Sequence, residues 1–145
     1  MLINKEQIKE LSNYISEAEA KTSGEIRIII RRKKPLFADI KKINVIAETE
    51  FIKLKMQNTK NRNGILLYIC ELEKEFRIVA DSGIDSKVDK SFWNELSKNI
   101  SLKFKEAKYI EGLKELVNEV GIVLSKYFPP EENNLNEHSN EVIIR

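Results

Sequence analysis

Cysteine and histidine each occur once in this chain of 145 residues, at Cys70 and His138. A single thiol excludes an internal disulfide, and its place inside an apolar run marks Cys70 as a small core residue. One histidine, set in the C-terminal tail, leaves neither a Cys/His zinc centre nor a histidine-based triad. Glycine is scarce, with five residues. None sits in a Walker-type or dinucleotide-binding loop, and Asp81-Ser82-Gly83-Ile84-Asp85 has its glycine in the wrong place for an EF-hand. No apolar run approaches membrane-spanning length, and Met1-Leu2-Ile3-Asn4-Lys5-Glu6 lacks a secretory h-region, so a cytoplasmic protein without a membrane span is expected. The net charge is only +2, short of the strongly basic balance of a dedicated nucleic-acid binder. The aromatics Phe51, Phe92, Trp93 and Phe104 fall on helical stripes, as core residues do, rather than forming a base-stacking platform. The chain has no internal repeat and no low-complexity segment.

What is present suits one domain with a real core: 41% hydrophobic and 33% charged residues. Residues 1–130 read as that domain and residues 131–145 as an acidic tail that docks on it or adds an edge strand through Val142-Ile143-Ile144. Charge is unevenly spread. Residues 27–42 carry Arg27, Arg31, Arg32, Lys33, Lys34, Lys41 and Lys42 against Asp39 alone, while the tail carries four glutamates against Arg145. The basic run reads as a solvated strand end and helix start, with contact to anionic lipid or phosphate as the alternative.

Periodicity predicts the elements. Asn4 and Gln7 resemble a capping box ahead of Ile8, Leu11, Ile15 and Ala18 at helical spacing, and Gly24 terminates that helix. Glu25–Arg31 is a largely buried strand. Past Pro35, the spacing of Ile40, Ile43, Ala47, Phe51 and Leu54 predicts a second helix, ending in Gln57-Asn58-Thr59-Lys60-Asn61. The unbroken run Ile65–Cys70 predicts a strand buried on both faces, and the short Glu71-Leu72-Glu73-Lys74 link makes an antiparallel hairpin with Phe76–Ala80. In that partner, Phe76, Ile78 and Ala80 face one way and Arg77 and Val79 the other. Val88, Phe92, Leu96, Ile100 and Phe104 predict a third helix, capped near Asp85. A fourth carries Ile110, Leu113, Leu116, Val117, Val120 and Leu124, and stops at Tyr127-Phe128-Pro129-Pro130. Strand and helix alternation implies an α/β fold: a three-layer α/β/α sandwich, Rossmann-like, with a mixed sheet of three to four strands flanked by four helices.

Topology then gathers a candidate site. The second helix returns the chain, so the first two strands are parallel and start at one edge of the sheet. The hairpin brings Asp81-Ser82-Gly83 back to the same edge. Ser23-Gly24-Glu25, Arg62-Asn63-Gly64, Asp81-Ser82-Gly83 and the start of the third helix therefore share a rim. Carboxylates with amide and backbone oxygens suit hard cations, calcium or magnesium, with Asp81, Asp85 and Glu25 as candidate ligands. An arginine with a helix N-terminus suits phosphate, through Arg62, Asn63, Ser82 and Gly83. Together they would make a metal-dependent phosphoryl-transfer site. The same residues also read as ordinary structure: Asp81-Ser82-Gly83 as turn chemistry, Asp85 as a helix cap, and Glu25 with Arg62 as a surface pair.

Thr22-Ser23-Gly24-Glu25-Ile26, Phe51-x-x-Leu54-x-Met56-x-x-Thr59, Arg62-Asn63-Gly64 before an apolar strand, Asp81-x-Gly83-Ile84, Trp93 and Tyr127-Phe128-Pro129 stand in the order seen in TPM domains. The tail Asn136-Glu137-His138-Ser139-Asn140-Glu141-Val142 resembles that family's terminal Asn-Glu-Leu-x-Asp-Glu-Ile segment. The resemblance spans nearly the whole chain and implies a Rossmann-like sandwich. It also implies calcium or magnesium binding, and a link to a thylakoid-lumen member tied to photosystem II repair and acid phosphatase activity. This chain departs from the pattern at Arg62, where many members carry an acid before Asn-Gly, and at His138, where the tail motif has leucine. Many members also carry a signal peptide and a membrane anchor.

Two readings follow. In one, the domain is a divalent-cation-binding, acid-phosphatase-like hydrolase acting on a phosphate ester. In the other, it is a non-catalytic interaction or assembly module whose contact with a protein partner is modulated by the cation.

Overall fold

The first helix, α1 (Lys5–Glu19), begins where the sequence supplies two reciprocal caps. The Gln7 amide donates to Asn4 Oδ1 at 2.8 Å and the Asn4 amide to Gln7 Oε1 at 2.9 Å, so two of the unpaired donors of the helix start are satisfied. The computed structural model describes residues 2–35, 42–131 and 142–145. After α1 come β1 (Glu25–Arg31), α2 (Ile43–Lys53), β2 (Gly64–Cys70), β3 (Glu75–Ala80), α3 (Ser82–Asp85), α4 (Lys90–Lys105), α5 (Tyr109–Tyr127) and β4 (Val142–Ile144). Of the predicted second helix, Ile40 lies outside the described residues, as does the tail motif around His138.

The four strands are ordered β3-β2-β1-β4. β1 pairs parallel with both β2 and β4, and β2 pairs antiparallel with β3. The unbroken apolar run of β2 and the burial of β1 are explained by helices on both faces. Ile26, Ile28, Ile30, Ile65, Leu67 and Ile69 join the core made with α1, α4 and α5. Ile29, Leu66, Tyr68 and Cys70 join a smaller core with Ile46, Ala47 and Phe51 of α2. In β3, Phe76, Ile78 and Ala80 meet the larger core and Val79 the smaller, as the alternation requires. This is a three-layer α/β/α arrangement around a mixed sheet. At the β4 edge, Arg145 donates its amide to Ile30 and pairs with Glu50 of α2, fastening the last strand to both sheet and helix.

Ahead of the expected third helix, where Asp81-Ser82-Gly83 reads as a turn, stands a short extra helix. Arg62 O accepts the amides of Gly83 and Ile84, and buried Ile84 anchors the short turn α3 in the larger core. The chain then re-enters extended backbone at Asp89, and α4 starts at Lys90 to place Leu96 and Ile100 in the core. Periodicity carried the register of α4 correctly. It could not show the tertiary acceptor that holds α3. Among the described residues, no helix is long and apolar enough to cross a membrane.

Candidate functional site

The rim is built by three segments that precede or follow strands at one end of the sheet. Glu25 pairs in register with Gly64, and the Asp81 amide donates to Gly64 O at 3.0 Å, so all three corners lie in one row. From the first corner, Thr22 Oγ1 donates to Phe128 O and accepts the Gly24 amide at 3.0 Å. That ties the end of α5 to the entry of β1. Ser23 Oγ then accepts from Asn63 Nδ2 at 3.2 Å and from Asn61 Nδ2 at 3.4 Å.

At the centre stands an ion pair. Arg62 Nε donates to Asp81 Oδ2 and Arg62 Nη2 to Asp81 Oδ1, each at 2.8 Å. The Asp81 side chain is 5% exposed and the Arg62 side chain 52%. The Ser82 amide also donates to Asp81 Oδ1 at 2.8 Å. The hydrogen bond to Asp81, with its charge, holds the Arg62 guanidinium above its ordinary pKa. Arg62 takes φ 50°, a left-handed conformation that side-chain-bearing residues adopt uncommonly. It is held there by its carbonyl, which accepts from Gly83 at 2.7 Å and Ile84 at 3.3 Å. A Cβ on Gly83 would lie 1.9 Å from Asn61 O, so only glycine allows the two corners to close.

The structure therefore brings together Arg62, Asn63, Asp81, Ser82 and Gly83. Asp85 belongs to a different contact, accepting from Trp93 Nε1 at 3.1 Å as it leaves α3. It does not cap a helix; the cap of α4 is Asp89. Glu25 stands two strands from Asp81, about 10 Å away by strand spacing. Asn61 and Ser23 were not among the predicted site residues, yet they join the rim's network. Both Asn61 and Asn63 donate to Ser23 Oγ around a left-handed turn at Arg62, which no sequence periodicity announces.

This arrangement can be tested against the chemistry expected of it. A carboxylate offers about four lone-pair positions, and three on Asp81 are taken by Arg62 and the Ser82 amide. Calcium needs six to eight oxygen ligands and magnesium near-ideal octahedral geometry. Among the described residues, no group of three or more His, Cys, Asp or Glu side chains is arranged to hold a metal ion. As it stands, the donor set does not fit a divalent cation. Nor does α3 offer an anion cradle. The Ser82 amide is spent on Asp81 Oδ1, those of Gly83 and Ile84 on Arg62 O, and that of Asp85 on Asp81 O. The open group at the rim is Arg62 Nη1, which donates to no protein acceptor among the described residues.

Residues 1–123 match the family model of the TPM domain, whose label is TPM phosphatase. Among solved structures, the chain is similar to the NMR structure of BA42 protein from the psychrophilic bacterium Bizionia argentinensis. The two share 32% sequence identity with a TM-score of 0.85, over 99% of this chain and 95% of that one. No curated protein matches the chain.

Proposed function

The chain belongs to the TPM domain family, and from that premise we propose that it works as a non-catalytic interaction module whose rim docks an acidic group of a partner. One observation carries this reading. The rim's buried carboxylate and the leading amides of α3 are all committed internally, while among the described residues the half-exposed guanidinium of Arg62 keeps an edge free. A guanidinium whose Nε edge is fixed by a buried aspartate is preorganised, so little side-chain entropy is lost when its remaining N–H groups meet a carboxylate or phosphate. Asn61, bonded to Ser23 and to Glu131, frames the same opening.

The phosphatase reading has the family label in its favour and less in the geometry. Hydrolysis needs a nucleophile or activated water with a base in reach. The rim hydroxyl of Ser23 accepts from two asparagine amides, and no histidine lies among the described residues.

One experiment separates the two. The full chain is assayed with para-nitrophenyl phosphate, with and without calcium or magnesium, while the Arg62 Nε–H signal is followed by NMR during titration with phosphoserine and with a glutamate-rich peptide. Docking predicts saturable shifts at Arg62 and its neighbours with no turnover, and loss of those shifts in Arg62→Gln. Turnover abolished by Asp81→Asn would establish the hydrolase instead, and anion titrations that leave Arg62 unmoved would end the docking reading.

A further inference from the structure

We infer that Arg62 takes the place of a divalent cation in this chain, so that the rim is closed by a built-in ion pair and is indifferent to calcium and magnesium. The inference starts from the charge that needs compensation. Asp81 is 6% exposed, and a carboxylate withdrawn from water to that degree requires a cation or several donors beside it. Arg62 supplies both through two parallel hydrogen bonds of 2.8 Å, the geometry in which guanidinium and carboxylate match best.

The grip is mutual, which separates it from a chance surface pair. Arg62 holds Asp81 through its side chain, and the turn after Asp81 holds Arg62 through its backbone, by the Gly83 and Ile84 amides on Arg62 O. The approach of Gly83 to Asn61 O locks the same two segments together. A metal bound between two loops performs this task elsewhere; here one side chain performs it.

The other two predicted ligands are engaged or set apart. Asp85 accepts from Trp93, and Glu25 lies across β2 from Asp81. A doubly charged ion approaching Asp81 would have to displace the guanidinium or sit beside a fixed positive charge, and either opposes binding. The inference concerns the cation alone and stands whether or not Arg62 docks a partner.

The test uses the full chain in chelator, then in millimolar calcium or magnesium, read by thermal unfolding and by amide shifts. For the unaltered chain, the expected result is an unchanged melting temperature and still signals at residues 61–64 and 81–85. Shifts confined to exposed carboxylates elsewhere agree with the inference. Arg62→Asp should melt several degrees lower in chelator and recover with calcium or magnesium, because it exchanges the internal cation for a second carboxylate. Should that variant not fold, Arg62→Lys keeps the charge without the fork; it should melt lower than the unaltered chain and remain cation-insensitive. Saturable cation-dependent shifts at Asp81 in the unaltered chain would overturn the inference. So would an Arg62→Asp chain as stable in chelator as the original.

Discussion

The two ends of the sheet carry similar inventories and differ in depth. Each has an arginine- or lysine-to-carboxylate pair beside a residue with positive φ: Arg62 with Asp81 at the rim, and Lys34 with Glu75 near Lys74 at the hairpin turn. At the rim the acid is 5% exposed; at the hairpin the Glu75 side chain is 39% exposed. The rim also joins segments distant in sequence, by the bonds from Thr22 to Phe128 and from Asn63 to Ser23. The hairpin end joins distant segments too, by backbone bonds from Glu71 to Arg31 and Leu72 to Arg32 and by glutamate side chains that accept the Leu2 and Lys34 amides. An ion pair therefore does not mark a site by being present. What separates the rim pair is the burial of its acid.

The sharpest way to break this contrast is at the two turns. Gly83→Ala forces a Cβ against the Asn61 carbonyl, a backbone atom that cannot swing aside. Overpacking typically costs about 1–3 kcal/mol and occasionally more, and with a backbone atom in the way the urea midpoint should fall by the upper part of that range. Lys74→Gly at the other end releases a side-chain-bearing residue from φ 55°. Relief of left-handed strain, worth about 1–2 kcal/mol, is then offset by about 0.5–1 kcal/mol of added chain entropy. The midpoint there should hold or rise slightly. Equal losses at both turns would erase the distinction.

A smaller effect should come from alkali, and it belongs to the hairpin end. Burial pushes the Cys70 thiol up to about 11 and the Tyr68 phenol up to about 12. Both groups hold their protons more tightly folded than unfolded, so stability is complete below their ordinary values. It is lost as pH rises through those values toward 11 and 12. Unfolding followed by circular dichroism should show this decline, and Tyr68→Phe should flatten its upper part. The Arg62 guanidinium, held above its ordinary value, should contribute nothing to it.

The smallest effect sharpens the comparison directly. Glu75→Gln should leave the melting temperature within error, because an exposed pair is worth little. Asp81→Asn removes the charge that Arg62 and the Ser82 amide both engage, and should lower the melting temperature measurably.

Much of this molecule is legible along the chain. Asn4 with Gln7 announces α1, the spacing of Ile43, Ala47 and Phe51 announces α2, and the run from Ile65 to Cys70 announces a strand covered on both faces. These signals are local or periodic, and the forces behind them act within a turn of helix or a pair of strands. From them alone follow the parallel crossover and the sharing of one rim by Ser23, Arg62, Asn63 and Asp81. The short helix α3 was not legible where the residues read as a turn, since it is held by a carbonyl twenty-one residues upstream, Arg62 O, that accepts the Gly83 amide. The same holds for Asp85, whose acceptor oxygen looks like a cap in sequence and meets Trp93 in space.

By itself, then, the order of residues determined the elements, the α/β layering and the fact that acids, amides and an arginine converge at one end of the sheet. Only tertiary structure decided how they are used. A carboxylate's partner is chosen by whichever donor reaches it first in the right geometry, and side-chain reach across loops is a property of the packed molecule. The left-handed turn at Arg62, held by two amides from the turn after Asp81, aimed the guanidinium at Asp81 and so settled that the rim's charge is answered from within the chain.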